Sequence, residues 1–216
     1  MRGVIAALAL GLLTACSNSD APQLGLVGEI GAGITQTIRT QTGRGPTETI
    51  SRPAIEASGV ETLLVEIQGW GRTTAMPLVA VNGAKKTYES ADGIAITLEG
   101  DVLVATRGLG ADMMGAEVGQ IRSLIGQTGL SERTYEFLDG ADRINVFKTP
   151  CAVTPVDPEE ITFLGRSYQT RKTFELCQAA GGSRITNSYW HDAGGRIIQS
   201  EEYVAPGIGY LKISHI

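Results

Sequence analysis

From position 61 onward, apolar and polar residues alternate along the chain. Leu63, Val65 and Ile67 alternate with Leu64, Glu66 and Gln68, and Ile94, Ile96 and Leu98 with Ala95, Thr97 and Glu99. Phe174 and Leu176 alternate with Thr173 and Glu175. A period of two sends successive side chains to opposite faces, so each run predicts a half-buried strand with the first-named set facing the core. Turn signals separate the runs: Asn82-Gly83, Asp92-Gly93, Gly100-Asp101, Asp139-Gly140 and Gly194-Gly195. Tight hairpin turns need positive φ at their central residues, which Gly, Asn and Asp tolerate. Closely spaced hairpins predict an antiparallel meander, and no alternation of strand with helix points to a parallel sheet.

Two stretches break the rhythm. Met114, Val118, Ile121 and Ile125 fit one face of a helix that Gly126 and Gly129 would end, placed to plug the concave side of a curved sheet. Residues 150–158 hold three prolines and read as irregular. Nearer the N-terminus, Leu26, Ile30, Ile34 and Ile38 recur every four residues, a helical stripe that runs through Gly28, Gly31 and Gly33. Those glycines follow no strand and precede no Gly-Lys-Ser/Thr, so they are not a phosphate loop. The expected fold is mainly β: an antiparallel meander forming a strongly curved sheet or half-barrel, with an N-terminal helix and one inserted helix.

The first residues have a different character. Arg2 precedes an apolar run over residues 4–13, followed by Thr14-Ala15-Cys16. The run is too short to span a bilayer and has the layout of an export signal. Leu13-Thr14-Ala15-Cys16 resembles the lipobox of bacterial lipoproteins. That resemblance implies cleavage before Cys16, diacylglycerol on its sulfur and acylation of the new amine. Each buried methylene contributes about 0.8 kcal/mol, so two or three chains anchor stably where one would not. Ser17, rather than aspartate, follows the cysteine. By the enterobacterial sorting rule this implies the outer membrane. The chain is therefore expected to comprise a signal peptide (1–15), a lipidated tether with a short helix (16–47) and a single β-rich periplasmic domain (48–216).

The net charge of −5 over 216 residues offers no broad attraction for nucleic acid. Catalytic constellations are not legible. His191 lies at a hairpin end, where Asp192 reads as a turn residue bonding nearby amides, and the penultimate His215 is expected to fray. No Gly-x-Ser-x-Gly elbow is present. Carboxylates are numerous (Asp101, Asp112, Glu117, Asp139, Asp142, Asp157, Glu159, Glu160, Glu201 and Glu202), but a glycosidase needs two in one cleft. Glu201 and Glu202 fall on opposite faces of one strand. No His/Cys/Asp cluster has metal-ligand spacing, and neither a metal nor a cofactor is expected. Trp70 and Trp190 read as core or hairpin-packing residues ahead of sugar-stacking ones.

Besides Cys16, the chain has Cys151 and Cys177, an even number in an oxidising compartment. If Phe174 and Leu176 face the core, Cys177 faces away. If Ile144 and Val146 face the core and Pro150 inserts no bulge, Cys151 also faces away. Two cysteines on one sheet face in neighbouring strands can bond, and closure of their loop would stabilise by roughly 3 kcal/mol. The alternative is two separately buried thiols.

Several segments together carry a family likeness: the lipobox, Leu103-Val104-Ala105-Thr106-Arg107-Gly108-Leu109-Gly110-Ala111-Asp112, Phe163-Leu164-Gly165-Arg166, and residues 189–200 from Tyr189-Trp190-His191-Asp192 onward. The chain resembles the YjbF-type lipoproteins of group 4 capsule and exopolysaccharide operons. The resemblance implies an outer-membrane lipoprotein on the periplasmic face. It also implies a non-enzymatic accessory role in polymer assembly or export, beside an outer-membrane β-barrel and a periplasmic partner. It brings no catalytic residues. A carrier binding an acyl chain in the concave sheet is the alternative, and a glycan hydrolase the third reading. The glycine-rich segment 106–112, with Arg107 and Asp112, is either a partner-contacting loop or a strand end entering a helix.

Overall fold

The computed structural model describes residues 50–138, 141, 143–179 and 182–216. The signal segment, Cys16, the stripe at Leu26, Ile30, Ile34 and Ile38, Asp142 and the Asp139-Gly140 turn lie outside them. A short helix α1 (Arg52–Ser58) leads into β1 (Thr62–Ile67), a single 3-10 turn, β2 (Arg72–Asn82), β3 (Lys85–Glu89), β4 (Ala95–Glu99) and β5 (Val102–Arg107). Next come β6 (Met113–Glu117), a one-turn helix α2 (Ile121–Leu124), β7 (Gly129–Leu138) and the long strands β8 (Ile144–Phe163) and β9 (Arg166–Gln178). β10 (Arg184–His191), β11 (Ile197–Ala205) and β12 (Gly209–His215) complete the chain.

All of these strands form one sheet in the order β5-β4-β3-β2-β1-β12-β11-β10-β9-β8-β7-β6. Apart from β5 and β6, consecutive strands pair antiparallel, and β1 also pairs β12. The meander thus wraps nearly into a barrel, with β5 and β6 facing each other across an unladdered seam. The expected turns supply the corners: Gly100 and Asp101 have φ of 55° and 69°, the paired left-handed conformation of a type I′ turn.

Side chains close the seam. Arg107 donates from Nη1 to the Met113 carbonyl (3.1 Å) and from Nη2 to the Met114 carbonyl (3.2 Å). Asp112 accepts from the Thr106 hydroxyl (3.0 Å) and from the backbone N–H groups of Gly108 (2.9 Å) and Leu109 (3.0 Å). The Met113 N–H donates to Thr106 Oγ1 at 3.0 Å. Segment 106–112 is therefore a strand end that turns into β6, not into a helix, and its charged side chains serve the turn itself.

The main core lies inside the barrel, where Leu63, Val65, Ile67, Ile96 and Leu98 pack with Met76, Tyr88, Leu103 and Leu211. Three expectations fail here. Met114 lies in β6 and the inserted helix spans only Ile121–Leu124, because β7 pairs with residues 113–117 and Gly119, at φ 55°, breaks the helical path. The short helix still plugs one mouth, with Ile121, Val118, Leu124 and Ile125 packed on Val102, Val153, Tyr189 and Ile197. Residues 150–158 are not irregular but run within β8. Pro155 and Pro158 are tolerated because β7 pairs β8 only as far as Val153, so one edge of β8 needs no N–H donors there.

The third failure is one of phase. In β9 the inner set is Thr173, Glu175 and Cys177, while Leu176 points out. Ile144 and Val146 are 60% and 54% exposed. Both cysteines therefore face inward, as register partners joined in a disulfide (S–S 2.04 Å).

Asp112→Ala removes the acceptor that orders the seam turn. Its unfolding free energy in urea should fall by about 2 kcal/mol with an unchanged m value. An unmoved midpoint would mean that this carboxylate does not hold the seam.

Candidate functional site

The inward phase of β7, β9, β10 and β11 gathers polar side chains in the interior. Arg133, Glu175, Asn187, Tyr189 and Glu202 are each no more than 1% exposed. Arg133 Nε donates to Glu175 Oε2 at 2.7 Å, and Nη2 donates to the Tyr189 hydroxyl and to Glu202 Oε2 (3.4 Å). The Tyr189 hydroxyl lies 3.2 Å from both Glu175 Oε2 and Glu202 Oε2 and donates to one of them. Asn187 Nδ2 donates to Glu175 Oε2 (2.9 Å), and its Oδ1 accepts from the Tyr203 N–H (2.9 Å). Glu202 also accepts the Leu103 N–H (3.1 Å), which ties β11 to seam strand β5 across the barrel.

One guanidinium thus faces two carboxylates in a buried interior. Burial works against the charge on Arg133, but Tyr189, Tyr135, Glu175 and Glu202 outweigh it and keep the guanidinium charged. Burial pushes the Glu202 carboxyl above its ordinary value, only partly offset by Arg133 and the Leu103 N–H. The disulfide lies beside this cluster, with both sulfurs and a Glu175 oxygen within 4.8 Å of one another. Bonded to each other, the sulfurs are not free thiolates for a metal.

A second assembly lies outside the wall. Beyond Pro158 and Arg171, β8 and β9 pair only with each other and form a projecting arm, bent by the bulge between Val156 and Pro158. The arm packs over the outer face through Ile161 and Phe163 on Trp190 and Ile198. Glu159 Oε2 accepts from Trp190 Nε1 (2.8 Å), and Lys172 Nζ lies 4.3 Å from the Trp190 ring. Helix α1 pins the tip: Arg52 donates to the Phe163 carbonyl (3.3 Å) and its guanidinium lies over Phe163 and Tyr168 at 5.3 and 5.8 Å. Between arm and wall lies an open cleft of about 410 Å³.

The remaining candidates fall apart from these assemblies. Trp70 is 44% exposed, whereas Trp190 is 7% exposed beneath the arm. His191 is buried with Nε2 3.1 Å from Thr173 Oγ1, and Asp192 accepts the Gly194 (2.9 Å) and Arg196 (3.0 Å) N–H groups, as a turn residue should. His215 does not fray. As the last residue of β12 it pairs with Leu63 of β1, and burial pushes its imidazole below the usual histidine value. Glu201 points out to accept from Gln68 Nε2 (3.0 Å) while Glu202 points in, so the two do occupy opposite faces. In the sequence Arg133 goes unmarked and the alternation sets Glu175 on the face away from the core, whereas both are buried inside. Glu175 shares strand parity with Cys177, which would have put it on the disulfide's face.

Residues 35–216 match the family described as group 4 capsule polysaccharide lipoprotein gfcB, YjbF. The crystal structure of the hypothetical lipoprotein YmcC from Escherichia coli (K12) has the same fold. Its TM-score is 0.68 at 14% identity, over 84% of this chain and 94% of that one. Comparison with curated proteins finds no match.

Two substitutions probe the interior. Arg133→Met strands two buried carboxylates and should cost about 3–5 kcal/mol in denaturant unfolding. Glu202→Gln should act in the opposite sense with rising pH. A carboxyl whose folded pKa is raised stabilises fully below its unfolded value, and that contribution is lost as pH rises through the folded value. Wild type and Glu202→Gln should therefore converge below the ordinary carboxylate range, with the variant increasingly the more stable above it. Parallel pH–stability curves would refute the raised carboxyl.

Proposed function

Because the chain belongs to the YjbF family of group 4 capsule polysaccharide lipoproteins, we propose that it is a lipid-anchored, non-enzymatic accessory of capsule or exopolysaccharide assembly. The anchor in this reading is diacylglycerol on Cys16, and the domain faces the periplasm from the outer membrane. Its partners are an outer-membrane β-barrel and a periplasmic protein of the same export system. The lipobox and Ser17 support the anchor and its address, and two or three acyl chains suffice for stable attachment.

The observation that carries the reading is how the inner side chains are used. A carrier of acyl chains needs an apolar hollow, whereas here the apolar inner residues pack on one another as a core and Arg133, Glu175, Tyr189 and Glu202 lie buried beside them. The same burial speaks against hydrolysis by the interior carboxylates. Glu175 and Glu202 share Arg133 and are sealed from any polymer, whereas a glycosidase holds its pair in an accessible cleft. The working surfaces of this protein are thus its outer ones, which suits a scaffold between partners.

Deletion of the gene in its own host should abolish or strongly reduce surface polymer. Wild type should restore it and Cys16→Ser should not. Rescue by both would remove the anchor from the reading. Unchanged polymer in the deletion strain would sink the capsule role.

A further inference from the structure

The outer wall beneath the arm has an unusual composition for a covered surface. Gln199 and Ser214 point outward from β11 and β12, where water would normally reach them, yet they are 5% and 3% exposed. Gln199 Nε2 donates to Ser214 Oγ at 2.7 Å. Part of the arm lies on apolar side chains, Ile161 and Phe163 on Trp190 and Ile198. The rest spans a floor of Leu64, Glu66, Thr73, Gln199, Lys212 and Ser214, where burying polar groups costs free energy unless they are bonded, and stands off from it, leaving the 410 Å³ cleft. That volume lies within the roughly 300–1,000 Å³ of small-ligand sites.

Glu66 and Lys212 are register partners on β1 and β12, and both line the cleft. Among the described residues neither enters an ion pair or a side-chain hydrogen bond, so a carboxylate acceptor and an ammonium donor stand side by side with their capacity unspent. The Thr73 hydroxyl also lines the cleft. Trp190, Phe163 and Ile161 add apolar edges to the lining, while the ring of Trp190 lies under Lys172 and that of Phe163 packs with Arg52 and Tyr168. Donors and acceptors bordered by apolar carbon suit a sugar ring, which has hydroxyls at its rim and C–H groups on its face. Glu66, Glu159 and Glu160 disfavour a strongly anionic ligand.

We propose that the cleft between the β8–β9 arm and the outer face of β1, β11 and β12 binds a short uncharged saccharide segment, held by Glu66, Lys212 and Thr73 beside the edges of Trp190 and Phe163. The proposal rests on the polysaccharide role above and names the surface that would touch the polymer.

The protein has two tryptophans, so Trp70→Phe in the full chain leaves Trp190 as the sole indole reporter. The probe is a set of oligosaccharides released by partial acid hydrolysis of the host's own exopolysaccharide, with maltooligosaccharides as controls. A saturable change in Trp190 emission is expected, with calorimetry giving the same affinity. Glu66→Gln and Lys212→Met should each weaken binding about tenfold or more, with the melting temperature nearly unchanged, since both side chains are part-exposed. Binding that both variants leave intact would place the saccharide elsewhere and overturn the cleft. Absence of binding, while the deletion strain still loses surface polymer, would also overturn the cleft and leave the proposed function standing.

Discussion

A twelve-stranded meander whose first and last paired edges do not ladder together must be held round by something other than backbone hydrogen bonds. Here Arg133 and Glu202 do so from within. β11 lies six strands from β5 along the sheet, halfway round a ring of twelve, so the Glu202 bond to the Leu103 N–H crosses the barrel. Arg133, on β7 near the other side of the seam, bonds to that same carboxylate and to Glu175 on β9. Arg107 then links β5 directly to the start of β6. A closed ladder would make such struts unnecessary. An open one without them would present two edge strands with unpaired groups, a template for association.

Charge inside a barrel is a costly way to build a strut. Partnered well, it contributes geometry more than stability, because each ion is desolvated and the second carboxylate has no cation of its own. The disulfide has a complementary effect. It joins direct register partners of β8 and β9 next to Glu175, fixing the strand that presents this carboxylate to Arg133. The inner surface on this side of the barrel is thereby used up in holding shape.

That division explains how far the sequence could be read. Around β1 and β4 the inner face is apolar, so the alternation of Leu63, Val65, Ile67 and of Ile94, Ile96, Leu98 carries the right phase as well as the right period. From β7 to β9 the interior is polar and the outside partly apolar: Leu130 is 80% exposed and Leu176 38%. The period-two signal survives there, but the rule that places apolar residues inside inverts the phase. The meander, its curvature and the hairpin turns were therefore legible, and the inner cluster was not. The arm was hidden for a different reason. Prolines at positions 150, 155 and 158 argue against a central strand, and only tertiary pairing reveals that β8 outruns β7.

The arm also connects helix α1 to the outer wall. The described chain opens at Ile50, and within two residues Arg52 is seated on the arm's tip through a carbonyl bond and two aromatic faces. Cation–π contacts of this kind contribute about 0.5–2 kcal/mol each, enough to bias a two-stranded projection that pairs with nothing else along its length. On the lipid-anchored reading, the tether from Cys16 therefore enters the domain at the element that roofs the cleft. On the same reading, a polymer segment entering the cleft would bind close to where the tether joins the domain, since Arg52 and the cleft share the arm's tip at Phe163.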